Sequence, residues 1–216
     1  MVHLKAVFLD FDGVICESCQ IKNAAYYKSY QHFGPQIAQA ALDYHLQHGG
    51  VSRVKLFPIL HRKLLGREIM PQEHDVMCRR FTEMVEQEVV EAPLTNGCRD
   101  FLEAMHRQGI PVFVSSGTPQ DEMHRIVEAK GIRHLFSDVL GSPDTKDVHI
   151  TNILNSLNIK KEEALFVGDA TTDRDAAKAT GIKFIARLSE DSILHDEMYK
   201  IQDFTEIYAL LEEMFH

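Results

Sequence analysis

The 216-residue sequence has no apolar run long enough to span a bilayer, which takes about 20 consecutive residues. It shows no pattern of a signal peptide either: Met1 leads directly to Val7-Phe8-Leu9, too short an apolar stretch and too soon charged. A cytoplasmic protein without membrane partners is the expectation. Runs of Lys or Arg are also missing, and 32 acidic residues outweigh 23 basic ones for a net charge of −9, which argues against a nucleic-acid partner. That balance repels phosphate esters at long range, so an anionic substrate would have to meet local positive charge or a metal. Cysteine is scarce. Of Cys16, Cys19, Cys78 and Cys98, the first two form a C-x-x-C pair, but no second pair accompanies it, and a structural zinc site usually needs four well-spaced ligands. Neither zinc nor redox chemistry is expected there. The twelve histidines are scattered. His45 and His48 lie one turn apart without a carboxylate-rich helix and read as solvated surface residues. Repeats and low-complexity segments are absent. What remains is a folded globular composition, 44% hydrophobic and 25% charged, long enough for one large domain or for a core with an inserted unit.

Ala6-Val7-Phe8-Leu9 reads as a buried strand ending at Asp10. From Ser18 to Glu91 no strand is evident, and helical spacing recurs over Ile21–Phe33, Gln36–Gln47, Ser52–Leu65 and Gln72–Val90. Gly49-Gly50 and Gly66 stop these helices, and Pro58 predicts a kink or break in the third. After Pro93 strands and helices alternate. The strands are Pro111–Val114, Ser137–Leu140, Ala164–Val167 and Lys183–Ala186. The helices are Gly97–Gln108, Glu122–Lys130, Val148–Leu157, Asp173–Thr180 and Phe204–Phe215. The alternation implies βαβ units and a parallel α/β sheet. Continuous rather than alternating apolar strands imply cover on both faces. The helical block then sits as an insertion after the first strand.

In such sheets ligands bind beyond the carboxyl ends of the strands. The residues found there are Asp10-Phe11-Asp12-Gly13-Val14, Ser115-Ser116-Gly117-Thr118, Gly141-Ser142-Pro143 with Lys146 behind, and Gly168-Asp169 with Asp173. Each alone is an ordinary turn or cap residue. Jointly they hold the groups that one reaction needs, phosphoryl transfer through a covalent intermediate. Asp10 would attack phosphorus. Asp12, two residues on in an extended chain and so facing the same way, would protonate the leaving oxygen and later deprotonate water. Asp10, Asp12, Asp169 and Asp173 are candidate oxygen ligands for Mg²⁺. Ser115, the backbone N–H groups around Phe11-Asp12 and Ser116, and Lys146 would hold the phosphoryl oxygens, with Gly13 and Gly117 allowing close backbone approach.

These four segments, in this order, resemble the four motifs of the haloacid dehalogenase superfamily. The resemblance implies a Rossmann-like core of residues 1–17 and 92–216 and a small helical cap at 18–91. It further implies a phosphoric monoester hydrolase acting on a small phosphorylated metabolite, such as a sugar phosphate or phosphoglycolate, as a monomer or homodimer. Asp12 and Asp169 set the chain apart from dehalogenases, which lack them. Gly50-Val51-Ser52-Arg53 is similar to a cap segment of beta-phosphoglucomutase whose arginine binds the non-transferring phosphate. Arg53 is thereby a candidate substrate contact, alongside a plain helix start at Ser52. Lys22 stands where that mutase has a histidine, and Glu17-Ser18 departs mildly from the usual pair after the first motif. A phosphatase is therefore expected, with a phosphomutase and a non-catalytic binding protein as alternatives.

Overall fold

Strand β1 (Ala6–Leu9) is buried along its whole length and lies at the centre of the sheet. The structure is a computed structural model that describes residues 3–189 and 192–215. Six strands, β1, β2 (Val112–Pro119), β3 (Asp138–Ser142), β4 (Ala164–Gly168), β5 (Lys183–Arg187) and β6 (Lys200–Ile201), run in the order β3-β2-β1-β4-β5-β6. All neighbours pair in parallel. Successive side chains of a strand point to opposite faces, and both faces are packed. Val7, Leu9, Val112, Val114, Leu165 and Val167 join one apolar cluster, and Ala6, Phe8, Phe113, Ala164 and Phe166 the other. This is the two-sided burial that the continuous apolar runs predict. β6, only two residues long, was not anticipated, because so short a pairing leaves no periodic signal.

The chain leaves β1, builds β2 and β3 on one side, and crosses back to place β4 on the other. That reversal opens a crevice at the strand ends. Leu9 is in register with both Val114 and Val167, so Asp10, Ser115 and Gly168 stand at one level on three adjacent strands. Helices α5 (Cys98–Arg107), α6 (Gln120–Ala129), α7 (Lys146–Leu157), α8 (Thr171–Thr180) and α9 (Ile207–Phe215) complete this part.

Between β1 and α5 lie α1 (Cys19–Tyr30), α2 (Pro35–Gln47), α3 (Arg53–Leu65) and α4 (Pro71–Glu91), with no strand among the described residues. Their core is aromatic: Tyr26 meets the Phe81 ring edge-on at 4.9 Å, and Phe57 packs 6.0 Å from Tyr26. Of the expected kink or break at Pro58 there is no break: α3 runs on through it. A proline leaves the carbonyl four residues back without its helical donor. The Val54 carbonyl instead pairs at 2.9 Å with His74 Nε2 from α4, which replaces the missing bond. Among the described residues no helix is long and apolar enough to cross a membrane.

Candidate active site

The turn after β1 aims its first carboxylate inward. Asp10 is 4% exposed. Its Oδ1 accepts the Phe11 N–H at 2.7 Å and its Oδ2 meets Lys146 Nζ at 2.8 Å. Lys146, the first residue of α7, also donates to Asp173 Oδ1. Asp173 Oδ2 accepts the N–H groups of Ala170 at 3.0 Å and Asp169 at 3.2 Å, which ties down the start of α8. Gly168 is needed here, since a Cβ on it would sit 2.2 Å from Asp173 Cβ.

Oxygens of Asp10, Asp169 and Asp173 lie within 4.8 Å of one another. Three carboxylates against one ammonium leave excess negative charge. Burial lifts Asp10 well above the usual carboxylate range; Lys146 opposes the rise, and Asp173 and Asp169 add to it. Asp169 is pushed up to about 7 by burial, with the Asp173 charge next. Burial works against the Lys146 charge, yet Asp10 and Asp173 outweigh it and hold the ammonium above its ordinary value. Hard oxygen donors with unbalanced charge fit a hard divalent cation such as Mg²⁺. Gly13, at φ +75°, lets the turn pass this cluster: a Cβ there would lie 2.1 Å from Asp169 Oδ2.

Asp12 does not join the cluster. Its Oδ1 accepts from Ser18 Oγ at 2.6 Å, its Oδ2 from Thr118 Oγ1 at 3.2 Å, and Lys22 Nζ stands 3.6 Å away. The expectation that the Asp12 carboxylate is a metal ligand is thus corrected, because these three donors turn it towards α1 and β2. It does line the cavity at the strand ends, together with Asp10, Ser116, Gly117 and Asp169. This cavity, of about 190 Å³, has room for a small metabolite.

Ser115 also needs correction. It follows Phe113 by two positions, so it falls on the face that packs against α7. Its hydroxyl pairs with His149 Nδ1 at 2.9 Å, and it does not line the cavity. Ser116 does, at the point where the β2–β3 register shifts. The Phe11 side chain is core, and its N–H is the one that Asp10 Oδ1 accepts.

Arg53 lines the cavity, but its charge is already engaged. Nη1 donates to Glu122 Oε1 at 3.2 Å and Nη2 to Glu122 Oε2 and, at 2.6 Å, to Thr82 Oγ1. Lys22 Nζ stands 3.8 Å from the same Glu122 and 3.2 Å from Thr118 Oγ1. Glu122, Thr118 and Lys22 went unassigned in the sequence, because partners up to 106 positions apart leave no local pattern. His45, expected at the surface, instead stacks on Tyr26 at 3.9 Å and lines the cavity. All four cysteines are free. The Cys19 thiol points to Asp169 Oδ2 at 3.5 Å, and burial followed by that carboxylate pushes its pKa up. A thiol so held is a poor nucleophile and a poor zinc ligand.

Known proteins resemble the chain over most of its length. A phosphorylated carbohydrates phosphatase of Thermotoga maritima is 23% identical over 193 residues, 84% of each chain. The structure of a predicted phosphoglycolate phosphatase from Haemophilus somnus covers 97% of this chain and 99% of its own, at TM-score 0.76 and 21% identity. A protein of Bacteroides vulgatus provisionally named beta-phosphoglucomutase covers 99% of this chain and 91% of its own, at TM-score 0.79 and 20% identity. At such identities the structures establish the fold, a parallel α/β sheet flanked by helices. Residues 7–187, from the middle of β1 to the end of β5, match the family of haloacid dehalogenase-like hydrolases, and the chain belongs to that family.

Proposed function

We propose that the chain is a Mg²⁺-dependent phosphatase for small phosphate monoesters, working through an aspartyl-phosphate on Asp10. As a haloacid dehalogenase-like hydrolase with phosphatase relatives, it is a phosphoric monoester hydrolase. The observation that carries the finer reading is the state of Asp10, a buried carboxylate clamped by one amide and one ammonium at the mouth of the strand-end crevice. A cap or a brace would have no need of the surplus carboxylates beside it.

In the first half of the reaction an Asp10 oxygen bonds to phosphorus as the ester P–O bond breaks, and Asp12 gives its proton to the departing oxygen. In the second half Asp12 takes a proton from water, whose oxygen attacks phosphorus and releases Asp10 and inorganic phosphate. Lys146 orients Asp10 and offers positive charge to the transferring group. Ser116 and the amides of the β2–α6 turn are the further phosphoryl contacts, in place of Ser115. Mg²⁺, held by Asp10 and Asp169 with Asp173 beside them, supplies charge neutralisation between the nucleophile and an anionic ester when bound.

Residues 18–91 act as a cap over a core of 1–17 and 92–216, closing the cavity to bulk water. A sugar phosphate or a phosphoglycolate-like ester is the substrate class, and a phosphomutase is the alternative. The arginine that would bind a second phosphate in a mutase is here paired with Glu122, and Lys22 replaces the mutase histidine. Both favour hydrolysis. Phosphate release from a panel of phosphorylated metabolites, with Mg²⁺ and with chelator, tests the reading. Release that is unaffected by chelator or by Asp10→Asn would overturn it.

A further inference from the structure

We propose that Glu122 makes the enzyme prefer esters whose far end carries no charge, by neutralising from the core side the cations that the helical block offers to the cavity. This rests on the phosphatase reading and narrows it to phosphate monoesters with a neutral, hydroxylated remote group.

Among the described residues that line the cavity, Lys22 and Arg53 are the cations. Both are buried, and both meet Glu122, itself 2% exposed on α6. The Glu122 carboxylate receives the Arg53 fork on its two oxygens and the Thr82 hydroxyl at 2.7 Å. Lys22 is shared between Glu122 and Asp12. The Arg53 charge is thus matched by Glu122, and Lys22 is held between Glu122 and Asp12, before any substrate arrives. A second phosphate or carboxylate at Arg53 would meet the Glu122 charge at close range, out of water, where like charges repel strongly and displacing one partner of a buried pair is costly.

The remaining lining suits a neutral ligand. Arg53 Nε and His45 Nδ1 are buried without a partner among the described residues, so neither adds a charge or a bond that a ligand could use in this arrangement. Burial, then Lys22, holds His45 down to about 4, so at neutral pH it offers an uncharged ring. Asn23 adds an amide. The Phe81 ring under Arg53 at 4.9 Å and the Tyr26–His45 stack form apolar walls. The amides of Asn23 and Gln20, which line the cavity, can accept and donate hydrogen bonds to hydroxyls without supplying net charge. Glu122 does not line the cavity; it acts through Arg53 and Lys22 as a positioning residue.

The test compares glycerol 3-phosphate and glucose 6-phosphate with 2-phosphoglycolate and glucose 1,6-bisphosphate. Wild-type kcat/KM is expected to favour the first pair by about tenfold or more, a size typical of misplaced charge at a buried site. Glu122→Gln should narrow that preference by about tenfold, chiefly through a lower KM for the doubly anionic esters. Glu122→Asp, which keeps the charge, should retain it. A wild type that prefers the doubly anionic esters overturns the proposal, as does a glutamine variant that loses activity equally on all four, which would make Glu122 only a brace between block and core. If Glu122→Gln does not fold, the wild-type and Glu122→Asp arms decide. Calorimetric binding of the same four compounds to Asp10→Asn protein reads the preference without turnover. Retained preference with no hydrolysis by the wild type would overturn the phosphatase reading alone.

Discussion

Two buried ion clusters face one cavity, and they balance their charges in opposite ways. At the strand ends Asp10, Asp169 and Asp173 confront a single ammonium from Lys146. Across the boundary with the helical block, Arg53 and Lys22 are matched by Glu122 and Asp12. The first cluster is incomplete without a cation, and burial first, with the neighbouring carboxylate charges adding to it, raises its carboxylate pKa values. In the second each cation already has a carboxylate neighbour. On the proposed reading the nucleophile belongs to the unbalanced cluster, while the balanced one sets discrimination and, through Asp12, supplies the proton.

The largest effect should come from breaking the first cluster at its nucleophile. Asp10→Asn is expected to lower turnover by roughly 10³-fold or more, with circular dichroism unchanged. Activity near wild type would remove Asp10 from the reaction. Restoring charge balance is the next test. Raised carboxylates stabilise the fold fully below the unfolded value of about 4 and lose that contribution as pH rises through the folded value, about 7 for Asp169. The melting temperature of metal-free protein should therefore fall between these limits, and saturating Mg²⁺ should reverse the fall by binding only the folded state, worth about 2.7 kcal/mol at a hundredfold excess over Kd. Asp169→Asn should flatten both responses. A metal-free protein whose stability rises over that range would contradict the unbalanced cluster.

Smaller changes probe how the chain makes room for the clusters. Gly13→Ala forces a Cβ into Asp169 at a positive φ and should cost about 1–3 kcal/mol in denaturant unfolding, with weaker Mg²⁺ binding. If stability and metal affinity were both unchanged, the close approach would be unimportant. The two serines of β2 should separate cleanly. Ser116→Ala should lower kcat/KM about tenfold, the loss of one hydrogen bond to a charged group. Ser115→Ala should leave kinetics nearly untouched and cost about 1–3 kcal/mol of stability through the unpaired His149. Reversed outcomes would return the phosphoryl contact to Ser115.

Much of this was legible along the chain. The continuous apolar strands announced a sheet covered on both faces, and the polar residues after each strand marked the site, because a parallel sheet must bring its carboxyl ends to one edge. Adjacent serines on β2 could not be sorted in the same way, since which strand face meets the cavity is decided by what packs on each side, as His149 of α7 does on Ser115. The histidine pair was misjudged for a similar reason. His48 bonds its own helix at Tyr44, while His45, three residues earlier, turns onto Tyr26 and the cavity. Pro58 looked like a break because the sequence does not reveal that His74 stands beside the Val54 carbonyl. Gly49-Gly50 read as a helix stop, yet it is also where the block touches the core. A Cβ on Gly50 would lie 1.9 Å from Thr172 Oγ1, and one on Gly117 would lie 2.6 Å from the Gly50 carbonyl.

The sequence by itself determined the family, the parallel sheet, and the carboxylates and lysine that cluster at the strand ends, because local periodicity and strand-end position are written within a few residues of each group. Only the tertiary structure decided which groups are satisfied and which are left wanting. Charge balance depends on distances between side chains far apart in the chain, as between Glu122 and Arg53, and those distances exist only once the helical block has docked on the core.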